Sequence, residues 1–179
     1  MEQPTSLPIG VRLMPLKTHS DSRGDLTEII RNDWHETPPP VQWTVTRTGP
    51  NIMRGVHVHP RSWGYACVVA GEMIVGLHDL RSKQAAVSSA LVRLTGERLQ
   101  ALVIPPGVAH GFYAPGDSTL VLGASIYRDG SDDRACSWNS PELGLDWPCT
   151  APELSARDRD AGSYATLKTA LHAAAAVQP

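Results

Sequence analysis

Two short segments carry the residues best suited to chemistry: Met53-Arg54-Gly55-Val56-His57-Val58-His59 and Ile104-Pro105-Pro106-Gly107-Val108-Ala109-His110-Gly111-Phe112. Histidine has an unperturbed pKa near 6.5, so it can give or take a proton at neutral pH, and its neutral ring is also a common metal ligand. Alternation along a strand puts His57 and His59 on one face and Val56 and Val58 on the other. Such a pair suits a substrate or a metal. With His110, the three imidazoles would fit zinc, iron, nickel or copper, although the carboxylate that usually joins them is missing. Each histidine also has a plainer alternative: a hydrogen-bonded core residue at 57, a barrel-filling side chain at 59, and a ring that fixes its own turn at 110.

The elements that must hold these residues are short. Fifteen Gly and fifteen Pro punctuate 179 residues, and the apolar runs between them are too brief for long helices. An opening strand is expected over 9–17, a polar turn over 20–25, and strands over 26–30, 42–46, 54–59, 65–71 and 72–80. Further strands are expected over 88–94, 100–104, 111–113 and 119–127. The even spacing predicts an all-β double-sheet jelly roll. After Trp147-Pro148 the composition changes, and 163–177, rich in Ala and Leu, reads as a terminal helix near a Ser cap. The expected organisation is a single domain over 1–179, with its core at about 9–148 and a C-terminal helical segment at about 152–177.

Composition narrows the partners. A formal charge of -2 offers no basic footprint for nucleic acid. No apolar run reaches the roughly 18 residues of a membrane span, and no secretory leader opens the chain, so a cytoplasmic location is expected. Cys67, Cys136 and Cys149 show no CxxC spacing and read as free thiols.

The two histidine segments resemble the motifs of the cupin superfamily, HxH with a later Glu and Gly, then PxGxxH. Here Gly64 falls at the glutamate position and Gly71 closes the first motif. A second resemblance covers about Asp21 to Asp158. Its pieces run in order: Asp21-Ser22-Arg23-Gly24 through Glu28, Arg54-Gly55-Val56-His57, Asp79-Leu80-Arg81, and the segment from Ile104 to Phe112. Tyr127, Trp138-Asn139-Ser140-Pro141-Glu142-Leu143-Gly144-Leu145-Asp146-Trp147-Pro148 and Leu154-Ser155-Ala156-Arg157-Asp158 complete it. Together they resemble the dTDP-4-dehydrorhamnose 3,5-epimerase family, cupin-fold enzymes that act on nucleotide-linked 4-keto sugars without a metal.

The resemblance implies a cupin-type double-stranded β-helix with short helices and a C-terminal helix, no cofactor, a nucleotide-sugar substrate, and a homodimer that exchanges a strand or arm. Inverting a carbon beside a ketone needs a base, a stabiliser for the enolate oxygen, and an acid on the opposite face. By resemblance His57 is the base, Asp158 its partner and Tyr127 the acid. Arg23 and Arg54 match residues that hold the diphosphate, and Glu28 an acid at the site entrance. His59, Tyr65 and His110 are further expected substrate contacts.

Three positions depart from the family pattern: His59 replaces a Gln, Gly64-Tyr65 replaces Gly-Lys, and Gln42-Trp43-Thr44 replaces Gln-Asp-Asn. The lysine is the residue assigned to the enolate oxygen, and a neutral phenol at Tyr65 is a weaker electrostatic partner. Local physics also leaves alternatives open. Ser155 and Asp158 together can simply start a helix, Tyr127 can be a packing aromatic, and Arg23 can be an exposed turn charge. Trp138 and Trp147 read as structural. Three rival functions fit the same residues: a 3,4-ketoisomerase, which His57-Val58-His59 resembles; a metal-dependent cupin using His57, His59 and His110; and a non-catalytic sugar-nucleotide binder.

Overall fold

The computed structural model describes residues 3–31, 33–34, 37–81 and 89–176. Its strands are β1 (Arg12–Pro15), β2 (Thr18–Asp21), β3 (Gly24–Thr27), β4 (Gln42–Thr48), β5 (Ile52–Val58) and β6 (Gly64–Ala70). They continue with β7 (Glu72–Asp79), β8 (Ser89–Thr95), β9 (Gln100–Ile104), β10 (Val108–Ala114), β11 (Ser118–Ala124) and β12 (Arg134–Ala135). One five-stranded sheet has the order β1-β9-β6-β11-β4 and the other β12-β5-β10-β7-β8, with antiparallel pairing throughout. This is the expected all-β jelly roll of cupin type.

Alternation along the strands builds the core between the sheets. Ala66, Val68, Leu102, Ile104 and Leu120 of the first sheet meet Val75, Leu77, Val92, Leu94 and Phe112 of the second. Burying each of the larger side chains contributes roughly 1.5–3 kcal/mol. The second sheet also has a covered outer face, where Val56, Val58 and Ala109 pack under Leu143 and Leu167. Those leucines belong to a 3-10 turn (Pro141–Leu143) and to helix α2 (Tyr164–Ala176), which follows the single-turn helix α1 (Ala156–Arg159). His78 ties this layer down, its Nδ1 near Ser89 Oγ and the Leu143 carbonyl and its Nε2 2.8 Å from Tyr164 Oη. Trp147 packs closely against Gly76, where an added Cβ would meet the ring at 2.5 Å, and its indole N–H donates to the Trp138 carbonyl. Both tryptophans are therefore packing residues.

Three details differ from the sequence reading. The polar stretch at 20–25 is part of a hairpin, with the Thr18 and Thr27 hydroxyls 2.8 Å apart across it, and 28–30 is not strand. Among the described residues this β2–β3 hairpin pairs with neither large sheet, and its side chains are mostly exposed. The strand expected to reach Tyr127 ends at Ala124; one residue on, the Ser125 amide donates to the Trp63 carbonyl while the Trp63 amide is met by the Ser125 hydroxyl instead of a backbone carbonyl. The expected strand start at Ser88 and helix end at Val177 lie outside the described residues.

Candidate active site

His57 stands on β5 directly opposite His110 on β10, on the barrel-facing side of the sheet, while Val56 and Val58 point into the outer layer. Its Nε2 is 2.6 Å from Asp158 Oδ1. A carboxylate only accepts, so Nε2 carries the hydrogen and Nδ1 holds the free lone pair. The nearest carboxylate to that lone pair is Asp133, whose Oδ1 lies 3.8 Å away. Asp133 Oδ2 pairs with Arg157 at 2.9 Å, but Oδ1 is buried and has no hydrogen-bond partner among the described residues. Once His57 takes a proton on Nδ1, that carboxylate is close enough to stabilise the positive charge.

Asp158 is positioned by the local logic of a helix start. Ser155 caps α1, its Oγ accepting from the Asp158 amide at 3.1 Å, so the two alternatives for this stretch are both realised: Ser155 caps the turn, and the same turn aims Asp158 at His57. Asp158 Oδ2 accepts from the Gly55 amide at 3.3 Å. Burial alone would raise the Asp158 pKa, but the contact with His57 and the bonds from Ser155 and Gly55 outweigh it and hold the carboxyl below its ordinary range. Gly55 is required here. It has φ 107°, and a Cβ would sit 2.9 Å from the His110 carbonyl oxygen.

His59 and His110 form the inner wall, with ring centroids 5.4 Å apart. His59 Nδ1 is 2.8 Å from the Asp132 carbonyl oxygen, and His110 Nδ1 is 3.1 Å from that of Val108. Carbonyls only accept, so both rings carry hydrogen on Nδ1 and offer Nε2 as an acceptor. Burial pushes both pKa values down, His110 far more, which keeps the rings neutral near pH 7. The bond to Val108 is the turn-fixing role open to His110. The three imidazoles are each tied to other groups, and among the described residues no three His, Cys, Asp or Glu side chains converge as a metal site.

Tyr127, 72% exposed, lies just beyond β11 and lines a pocket together with His59, Arg128, Asp132 and Asp133. Arg54 is on β5, three residues before His57, with Nε donating to Thr48 Oγ1 at 3.0 Å.

Three expected contacts are not brought to this cluster within the chain. Tyr65 alternates with the inward Ala66 and Val68, so its side chain lies on the other face of β6, where its hydroxyl donates to the Pro38 carbonyl. It therefore does not stand in for the family lysine. The corresponding inward position is Gly64, which has no side chain. Arg23 is on the β2–β3 turn and bonds only Asp21 among the described residues. Glu28 lies 3.9 Å from Arg31 and lines a separate groove of about 320 Å³ with Met14, Lys17, His19 and Trp34.

Asp133, Arg128 and Asp132 escaped the sequence reading. Their signal was a charge-dense loop, 128–134, directly after an apolar strand. Asp132 fastens that loop by accepting from the Arg61 and Ser62 amides and from Arg61 Nε.

A jelly roll with a carboxylate-backed histidine inside its barrel defines a class of proton-transfer enzymes. Residues 5–166 match the family described as dTDP-4-dehydrorhamnose 3,5-epimerase, and the chain belongs to that family. It is 28% identical to the spore coat polysaccharide biosynthesis protein SpsL of Bacillus subtilis over 143 residues, 77% of this chain and 95% of that one. It is 31% identical to a dTDP-4-dehydrorhamnose 3,5-epimerase of Pseudomonas aeruginosa over 130 residues, 70% of this chain and 72% of that one. Among solved structures, the 3'-monoepimerase ChmJ of Streptomyces bikiniensis, in complex with dTDP-quinovose, superposes with a TM-score of 0.82 at 25% identity, covering 95% of this chain and 90% of that one.

Proposed function

We propose that the protein is an epimerase that inverts one or both carbons flanking the ketone of a nucleotide-linked 4-keto-6-deoxy sugar, in deoxysugar biosynthesis. The observation that carries this reading is the 2.6 Å contact between His57 Nε2 and Asp158, which leaves Nδ1 as a lone pair inside the barrel. His57 takes the α-proton on Nδ1, and the electron pair moves toward the ketone oxygen. Asp158 fixes the tautomer and stabilises the imidazolium, and the Asp133 carboxylate 3.8 Å from Nδ1 adds to that stabilisation. Tyr127 returns a proton to the opposite face. His59 and His110 present acceptors to sugar hydroxyls, and Arg54 holds the diphosphate. No step in this sequence needs a metal or an organic cofactor.

The test is incubation with a dTDP-4-keto-6-deoxyhexose in deuterated water, following the proton signals beside the ketone by NMR. Exchange that disappears in His57→Asn supports the reading. A fully active His57→Asn variant refutes it.

We further propose a cytoplasmic homodimer in which the β2–β3 hairpin delivers Arg23 and Glu28 to the site of the other subunit. The support is that the Arg23 side chain is 88% exposed on a hairpin that pairs with neither large sheet among the described residues. Trp43 and Val45 of the edge strand β4 are also exposed, side by side on one face. The cysteines form no disulfide among the described residues, which suits a reducing compartment, and no described helix is long and apolar enough to cross a membrane.

A further inference from the structure

Enolisation places negative charge on the ketone oxygen, and a metal-free site must meet that charge with a cation or with fixed donors. The structure narrows which cation does so. Tyr65 is on the wrong face of β6 and Gly64 has no side chain. Arg54 donates Nε to Thr48, Arg61 is engaged by Asp132, and Arg157 is engaged by Asp133.

Arg128 is different. It lines the pocket that also holds His59, Tyr127 and Asp133, yet its side chain makes no hydrogen bond or close ion pair among the described residues. Its backbone is fixed instead, the amide donating to Gln42 Oε1 at 2.7 Å. The residue is exposed at the rim, where neighbouring protein lowers the guanidinium pKa and the more distant charge of Asp133 opposes that shift. A guanidinium at a pocket mouth with no protein partner among the described residues keeps its fork of N–H donors free for an acceptor on a ligand. The pocket is shallow and opens to solvent, so a substrate oxygen can reach the guanidinium from the mouth.

The other charges around it are spoken for. Asp132 is held by Arg61 and two amides, Asp129 accepts from the Ser131 amide, and Asp133 is paired with Arg157 on one oxygen while its other faces His57.

Resting on the epimerase reading, we infer that Arg128 is a catalytic residue that binds the ketone oxygen of the substrate and carries its charge in the enolate. The C–H bond beside the ketone breaks, its proton goes to His57 Nδ1, and its electron pair forms the C=C bond as the carbonyl π pair moves to oxygen. Arg128 stays protonated and donates to that oxygen throughout. Collapse of the enolate re-forms the carbonyl as a proton is delivered to carbon, so the step needs no oxidant or reductant.

The test compares wild type, Arg128→Gln, Arg128→Lys and His57→Asn in the same deuterium-exchange assay, with dTDP affinity measured by calorimetry. Removing one such donor lowers the rate by about 10²-fold to 10³-fold. Arg128→Gln is expected to lose that much exchange while binding dTDP within about threefold of wild type, and Arg128→Lys is expected to recover most of the loss. Exchange in Arg128→Gln within threefold of wild type overturns the assignment. So does a fall in dTDP affinity that matches the fall in exchange, since that makes Arg128 a diphosphate anchor. A wild-type protein that exchanges no proton overturns the epimerase reading itself, and the assignment with it.

Discussion

Replacing Asp158 with asparagine keeps the shape of the side chain and removes its charge, which isolates what the carboxylate does for His57. Asp158 is 7% exposed and His57 23%, so the pair lies between the buried and the fully solvated limits. A hydrogen bond to a charged group contributes about 1.5–3 kcal/mol. Attraction between unit charges centred ~4 Å apart, at an effective dielectric of about 20, is about 4 kcal/mol. These are overlapping descriptions of one interaction, so the imidazolium loses about 3–4 kcal/mol, and at 1.36 kcal/mol per decade the rate falls about 10²-fold to 10³-fold. The assay is solvent deuterium exchange beside the ketone.

Stability gives an independent readout. The folded carboxyl titrates below its ordinary 3.8, so its contribution is complete above that value and is lost as pH falls through the folded pKa. The asparagine variant lacks that loss, and its melting temperature should fall less steeply than the wild type's below about pH 4. The asparagine carbonyl can still accept from the Gly55 amide, so the variant should fold. A folded Asp158→Asn protein that exchanges within threefold of wild type would refute the dyad.

Tyr127→Phe should separate removal of the proton from inversion: exchange persists within about tenfold, whereas the epimerised product falls by about 10²-fold or more, both read from one NMR time course. Gly55→Ala should lower Tm by roughly 3–10 °C through strain at a positive φ and a clash with the His110 carbonyl, with a larger loss of activity because Asp158 is displaced. If the hairpin acts in trans, Arg23→Ala and His57→Asn proteins, each impaired alone, should regain about a quarter of the wild-type sites when unfolded, mixed and refolded together. Mixtures no more active than their parents would place Arg23 in its own subunit's site or in none.

Much of the fold was legible because its rules are local. The alternation of Val56, His57, Val58 and His59 sets two faces whatever covers them, and the structure puts the valines under the C-terminal layer and the histidines on the inner side. The Ala-rich helix and its Ser cap were readable for the same reason: Ser163 Oγ accepts from the Thr166 amide. What sequence could not place depended on where strands stop. Tyr65 falls on the far face because alternation runs back from the inward Ala66 and Val68 to the strand end. The loop carrying Arg128 and Asp133 is not legible in sequence because its role depends on lying beside His59 and His57, which no local signal encodes. At Asp158 the local sequence serves a cap and a catalytic group equally well, because the deciding neighbour is 101 positions away.

That separation bears on synthesis. The barrel strands, both inner-wall histidines and Tyr127 leave the ribosome before the turn that carries Asp158, and domains generally acquire structure from the N-terminus as they emerge. A nascent chain halted at residue 150 already owns His57 but has neither the Ser155 cap nor the carboxylate that fixes its tautomer. Full proton-transfer activity is thus withheld until the last stretch of the chain docks, so truncated products that still hold a barrel should be as severely impaired as Asp158→Asn or more so.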